Sequence, residues 1–255
     1  MASTRPLSGP KLQELLSTIK GSDSVELKLT LGESAAAGTA RAVGFDALDA
    51  QVRQVFFFDT PDLALNRAGV VVRARRRQRE DGDTVVKLRP VVPADLPGKL
   101  RRLPEFNVEV DAMPGGFVCS ASYKGVATND RIRETIGGKR PVRKLFSKGQ
   151  RDFFAAHAPE GMDLDALSML GPIPILKAKV VPDGYGRRLV GELWLYPDGS
   201  QIVELSTKAR PDEAFQVAAE TRAFLEGVGV DLTGEQQTKT KTALTYFSRA
   251  LKDRA

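Results

Sequence analysis

The sequence predicts an α+β protein: an eight-stranded antiparallel β-barrel wide enough to be a tunnel, with a charged interior, helices around it and a helical insertion between the fifth and sixth strands. Three observations predict it. Segments in which every second residue is apolar recur along the chain, as half-buried strands require. Their polar faces carry Arg, Lys and Glu sorted by strand rather than mixed. Amphipathic helical stretches flank them and need an apolar surface to lie on. The expectation is one unit spanning 1–255, with the insertion at about 112–174.

Pro10 through Lys20 sets Leu12, Leu15, Leu16 and Ile19 at helical spacing, and Gly21 stops it. In Ser24-Val25-Glu26-Leu27-Lys28-Leu29-Thr30-Leu31 the odd positions are all apolar and the even ones all polar, which makes it the first strand. Glu33 to Leu48 is Ala-rich and helical in part, with an interruption expected at Gly38. Val52 to Thr60 is the second strand, ended by the turn signal Asp59-Thr60-Pro61. In the third, Val70 to Arg77, Val70, Val72 and Ala74 share one face and Val71, Arg73, Arg75 and Arg77 the other. Asp81-Gly82-Asp83 predicts a hairpin turn. Thr84 to Arg89 returns with Val86 and Leu88 opposite Val85, Lys87 and Arg89. The fifth strand, Glu105 to Asp111, sets Phe106, Val108 and Val110 against Glu105, Asn107, Glu109 and Asp111.

From Ala112 to about Pro174 the period changes and Gly115-Gly116, Gly137-Gly138 and Pro141 break the segment, so it is predicted to be mostly helical. Ser147 and Gln150 have capping-box spacing for a helix from Lys148 to His157, and Asp163 or Asp165 can open another. Strands resume at Ile175 to Val181, with Lys177 and Lys179 on one face. Arg188 to Tyr196 follows, with Arg188, Val190, Glu192 and Trp194 together, then Gln201 to Lys208, with Ile202, Glu204, Ser206 and Lys208 together. Pro211-Asp212-Glu213 starts a helix through Leu225, and a last helix runs from about Thr238 to Lys252.

Composition narrows the classes. The single cysteine, Cys119, excludes an internal disulfide and fits a reducing compartment. No apolar run reaches the roughly 20 residues of a membrane span, and Met1 to Pro10 holds no signal segment, so a soluble cytoplasmic protein is expected. The net charge of +6 attracts phosphates in general, but aromatics, at 7%, are not interleaved with the basic residues, which disfavours nucleic acid. His157 has no neighbours suited to catalysis or ligation and reads as structural. A homodimer is compatible with the sequence.

A period of two does not say which face of a strand is buried. Ordinary small barrels put the apolar face inward. Here the helices need an outer apolar face, and the charges are segregated: Arg and Lys on the third, fourth and sixth strands, Glu on the first, fifth, seventh and eighth. Both features favour charges turned inward. Buried charges cost several kcal/mol each unless paired, so such an interior must hold water, counter-ions or a polyanion with metal ions.

At these residues the sequence resembles the CYTH superfamily, the triphosphate tunnel metalloenzymes, which includes thiamine triphosphatases, tripolyphosphatases, class IV adenylate cyclases and RNA 5′-triphosphatases. Ser24-Val25-Glu26-Leu27-Lys28 falls where the family has Glu-x-Glu-x-Lys. Phe57-Phe58-Asp59-Thr60-Pro61 followed by Arg73-Ala74-Arg75 is similar to its Tyr-Phe-Asp-Thr-Pro segment and paired-Arg strand. Val85-Val86-Lys87 resembles the next strand, Glu204-Leu205-Ser206 the closing Glu-x-Glu, and Lys239 or Lys241 the basic residue of the last helix. The resemblance implies phosphate binding by Lys28, Arg73, Arg75, Lys87, Lys177 or Lys179, and Arg188, with Arg89, Lys208 and Lys241 joining them. It implies Mg²⁺ or Mn²⁺ on Glu26, Glu109 and Glu204, with Glu26 and Glu204 catalytic. Three family carboxylates are neutral here, as Ser24, Asn107 and Ser206; Asp111, Glu105 or a displaced Asp23 could substitute.

The reading that follows is metal-dependent hydrolysis of a linear triphosphate, inorganic tripolyphosphate or a small organic one. The alternative is a phosphate-chain or nucleotide-binding protein with reduced or lost catalysis, which the three neutral replacements favour. A class IV adenylate cyclase comes third, with no adenine pocket identifiable in the sequence.

Overall fold

The computed structural model describes residues 8–31, 33–232 and 239–252. Nine strands close into a barrel: β1 (Ser24–Leu31), β2 (Gln51–Asp59), β3 (Val70–Arg77), β4 (Glu80–Leu88), β5 (Phe106–Met113), β6 (Gly116–Ala127), β7 (Ser168–Val180), β8 (Leu189–Leu195) and β9 (Gln201–Ala209). Their order around the barrel is β1-β5-β6-β4-β3-β2-β7-β8-β9. β1 lies parallel to β5, with Val25 opposite Val110, and antiparallel to β9, with Val25 opposite Ala209. All other neighbours are antiparallel. The barrel is therefore nine-stranded and mixed, rather than eight-stranded and antiparallel.

The extra strand is β6, which falls inside the predicted helical insertion. Pro114-Gly115 is a tight turn, with Gly115 at φ 87° and Met113 paired to Gly116, so the glycines that read as breakers join two strands. Alternation in β6 is muted because its inward residues include Ser120 and Ser122 and its outward ones Cys119 and Ala121. The segment 112–174 does contain helices, α5 (Asn129–Ile136) and α6 (Lys148–Ala155), but β7 already begins at Ser168. The β3–β4 turn is also displaced. It lies at Gln78-Arg79, with Arg79 at φ 63°, and Asp81-Gly82-Asp83 belongs to β4. Gly82 is required there, since a Cβ would stand 2.5 Å from the Arg75 carbonyl oxygen and 2.4 Å from Ile132 Cδ1.

Among the described residues the remaining α-helices are α1 (Gly9–Lys20), α2 (Glu33–Ala42), α3 (Ala64–Arg67), α4 (Gly98–Arg101), α7 (Ala214–Gly227) and α8 (Lys239–Lys252). α2 runs through Gly38 without the expected interruption. Two of the helices, α5 and α6, carry side-chain N-caps. Thr128 caps α5 by accepting from Arg131 N, and Ser147 with Gln150 forms the capping box of α6. Gln150 is fully buried and also donates to the carbonyls of Thr84 and Tyr123, fixing α6 to β4 and β6. His157 Nδ1 lies 2.8 Å from the Phe153 carbonyl at the end of α6, a structural position.

The apolar faces point outward and the helices cover them. Val25, Phe56, Phe58, Val70, Val72, Ala74, Val86, Val108, Val110 and Ala121 are buried with Ile132 of α5 and Phe153 and Phe154 of α6. Leu29, Leu31 and Leu205 are buried with Leu225 of α7. At roughly 1.5–3 kcal/mol for each large apolar side chain removed from water, this outer shell supplies the driving force that other barrels place at their centre. Asp59, the Asp of Asp-Thr-Pro, is buried at the end of β2. Its carboxylate accepts from the backbone N–H groups of Thr60, Leu65 and Asn66, seating α3 on the end of the barrel. Ser248 Oγ donates to the Pro61 carbonyl and docks α8 at the same turn.

One part of the interior is apolar. Val55, Phe57, Ile173, Ile175, Trp194 and Ile202 form a cluster with Ala243 and Leu244 of α8, so Trp194 is core.

Candidate functional site

The polar faces converge on the barrel axis. Register puts these residues on one face, since residues paired across two strands share a face, and the packing of the other face against the helices turns this one inward. Glu26 stands opposite Asp111 and Lys208, Lys28 opposite Ser206, and Glu109 opposite Ser24 and Ser120. Arg73 faces Val85, Arg75 faces Asp83, and Arg77 faces Arg53. Glu192 faces Lys177 and Glu204.

Two charged groupings result. In the first, carboxylate oxygens of Glu26, Glu109 and Asp111 all lie within 4.8 Å of one another. Lys28 Nζ reaches two of them, at 3.1 Å from Glu26 and 2.8 Å from Asp111. Arg89 Nη2 and Lys87 Nζ approach the other Asp111 oxygen at 3.2 and 3.8 Å. Lys208 pairs with Glu109, to which Ser24 Oγ also donates. Asp111 is the hub, and its side chain is 1% exposed.

In the second grouping Asp83 Oδ2 accepts from Arg75 Nε at 2.8 Å, with Arg73 and Arg77 each 3.7 Å from the carboxylate. Arg53 is buried beside them. Across the wall, Glu192 accepts from Lys177 at 2.8 Å and from Trp194 Nε1.

The sequence-derived candidates are distributed as follows. Glu26, Lys28, Arg73, Arg75, Lys87, Glu109, Lys177 and Glu204 are on the inner wall, and Arg89 reaches it from just beyond β4. Lys208 and Lys179 are exposed on the same face, and Arg188 is exposed just before β8. Lys241 is on α8, and its side chain lies outside the described residues. Glu204 is buried opposite Thr30 and Glu192, not within the carboxylate trio, where Asp111 takes the third place. Of the other substitutes, Asp23 turns outward to accept from Val108 N and pair with Arg101, and Glu105 is exposed before β5.

Sequence reasoning missed Asp83, hidden in a supposed turn, and Lys124 of β6, an exposed residue paired with Val85 on the inner face, hidden in the supposed insertion. It also missed Arg53, because Val55-Phe56-Phe57-Phe58 obscures alternation in β2.

No protein-family model and no curated protein matches the chain. Solved structures do. A candidate adenylyl cyclase from Hippeastrum, HpAC1, whose structure is reported with a dominant triphosphatase activity, superposes with a TM-score of 0.64 at 17% identity, covering 87% of this chain and 95% of that one. A candidate adenylate cyclase from Bacillus halodurans gives 0.59 at 10% identity, covering 86% and 97%. The chain shares the closed-barrel fold of these two structures.

Within the tunnel, burial and charge act against each other. Burial disfavours the Lys28 ammonium, yet Glu26, Asp111 and Glu204 outweigh it and push its pKa well up. Burial likewise works against the Asp111 carboxylate, but Lys28, Lys87 and Arg89 hold it at about 2. Lys87 goes the other way. Burial, with Lys28 and Arg89 nearby, lowers it to about 8 despite the opposing charges of Asp111 and Glu109. Burial and Arg75 lower Arg73 to about 10, so it stays charged at neutral pH.

The Lys87 shift has a testable sign. The unfolded chain holds this proton up to about pH 10.5 and the folded chain only to about 8, so the residue's contribution to stability rises with pH across that window. In chelator-treated protein, the stability of wild type minus that of Lys87→Met is expected to increase from pH 8 to 10 in urea melts. A flat or falling difference contradicts the burial described.

The trio also meets the requirements of a hard dication. It offers three carboxylates, oxygen ligands only, close enough to share one divalent ion. Lys28 now bridges two of those oxygens and would have to yield or share them.

Proposed function

We propose that the tunnel binds the phosphate chain of a linear triphosphate and hydrolyses it with the help of a divalent cation. The observation that carries this is the convergence of Lys28, Arg73, Arg75, Lys87 and Arg89 on one interior beside the trio Glu26, Glu109 and Asp111. Guanidinium and ammonium groups in a partly desolvated channel stabilise the charge spread over a transferring phosphoryl group.

The roles divide by position. Arg73, Arg75, Lys87 and Arg89 grip phosphate oxygens, with Lys177 on β7, beyond β2, on the arginine side. Lys179, Arg188 and Lys208, exposed, raise the local concentration of the anion rather than fix it. Glu26, Glu109 and Asp111 hold Mg²⁺ or Mn²⁺. Such an ion supplies Lewis-acid polarisation of the phosphoryl oxygens. Glu204, on the same wall as Lys28, orients the attacking water and takes its proton. The helices around the barrel and the cluster under α8 limit bulk water at the reacting end.

A second reading rests on Ser24, Asn107 and Ser206. All three face the axis and carry no charge, which weakens the hold on a dication and favours phosphate-chain binding without turnover.

Phosphate release from tripolyphosphate, measured with Mg²⁺, with Mn²⁺ and with chelator beside calorimetry of binding, separates the two. Hydrolysis predicts release that depends on the dication. Tight binding with no metal-stimulated release leaves the binding protein, and absence of binding refutes both.

A further inference from the structure

The arginine grouping already contains an anion of the protein's own. Asp83 of β4 stands directly opposite Arg75 of β3, and its Oδ2 lies 2.8 Å from Nε and 2.7 Å from Nη2. That is the edge through which a guanidinium takes a carboxylate or phosphate side-on. Arg73 Nη2 is 3.7 Å from Oδ1 and Arg77 Nε is 3.7 Å from Oδ2, Arg77 being held more closely by Glu80 at 3.0 Å and by the Asp81 carbonyl, to which its Nε donates. Two buried atoms in this grouping make no hydrogen bond: Asp83 Oδ1 and Arg73 Nε. Asp83 thus satisfies Arg75 and leaves a donor of Arg73 idle.

We propose that Asp83 is a resident counter-ion of the arginine grouping: it holds Arg73, Arg75 and Arg77 together while the tunnel is empty, and it competes with an incoming phosphate group for Arg75. This rests on the phosphate-binding reading above. Three guanidiniums on alternate residues of one strand repel each other in a channel that screens charge poorly, so an internal carboxylate stabilises the empty protein. A phosphate group carries more charge and more acceptor oxygens than a carboxylate. It can take the Arg75 edge and still offer an oxygen to Arg73 Nε, which Asp83 does not do. The carboxylate then sets a threshold, because weak or singly charged anions cannot displace it while a triphosphate can. Asp83 is in these terms a positioning and affinity-setting residue, with no part in bond breaking.

The experiment compares Asp83→Asn with wild type, metal-free, by calorimetry with tripolyphosphate and by thermal unfolding with and without it. The variant is expected to melt lower when empty, to bind tripolyphosphate about tenfold more tightly, and to gain more in melting temperature on binding than wild type does. Asp83→Glu is expected to bring both properties back toward wild type. Wild-type binding with equal or weaker binding by Asp83→Asn overturns this inference and leaves phosphate binding standing, whereas absence of binding by either protein overturns both. Should Asp83→Asn not fold, Asp83→Asn/Arg77→Gln preserves the local charge balance, and it must bind more tightly than Arg77→Gln alone.

Discussion

Replacing Asp111 by Asn will lower stability by about 3–5 kcal/mol, the range found when one partner of a buried ion pair is removed. The side chain is nearly inaccessible and lies within ion-pair distance of Lys28, Lys87 and Arg89. Asn keeps the shape and removes the charge, so three cations are left in a confined space without their shared partner. The sign of the acid response follows from the same contacts. Asp111 titrates at about 2 in the folded protein against 3.8 in the unfolded chain, so its stabilisation is complete above about pH 4 and is lost as pH falls through 2. Urea melts at pH 7 and pH 3 test both statements. The wild-type advantage should shrink at the lower pH, and a loss below 1 kcal/mol at pH 7 would mean that water in the tunnel screens the hub. Adding Lys87→Met should recover part of the deficit, since the two residues are partners and their effects do not add.

Arg73→Ala will weaken tripolyphosphate binding by about a hundredfold, or about 3 kcal/mol, the worth of one or two charge-assisted hydrogen bonds. Arg75→Ala will cost less, because its guanidinium edge is already engaged by Asp83. Calorimetry at fixed ionic strength measures both. Unchanged affinity in the two variants would remove the arginine wall from the binding site, and a larger loss from Arg75 than from Arg73 would reverse the ranking. Neither variant should unfold the barrel, because the outer apolar shell lies on the opposite face of β3.

The inverted barrel was legible in the sequence because alternation and helix count pointed the same way. Strands with strong contrast, such as Phe106 to Asp111 and Val70 to Arg77, are found where periodicity put them. β6 was illegible for a physical reason. A strand whose inner positions are Ser and whose outer ones are Cys and Ala has little contrast between faces, and its flanking glycines mark a hairpin as readily as a helix end. Losing that strand also hid Lys124. Asp111 was recognised only as a substitute, since nothing in local pattern shows that β1 runs parallel to β5 and sets Glu26 opposite it. Asp83 escaped because Asp-Gly-Asp is a stronger local signal for a turn than for a strand, and the fold overrides it with the turn at Gln78-Arg79.

The seam that joins Val25 to Ala209 bears on when the binding chamber comes into existence. β1 has two neighbours, β5 and β9, and the second is made only after most of the chain has been synthesised. A nascent polypeptide that has emerged as far as Met113 holds Glu26, Glu109 and Asp111, yet lacks the strand that clamps the other edge of β1. Contacts so distant in sequence are slow to form. The closed, charged interior is therefore acquired late in synthesis, and the phosphate binding proposed for it is expected to be missing from fragments that end before β9.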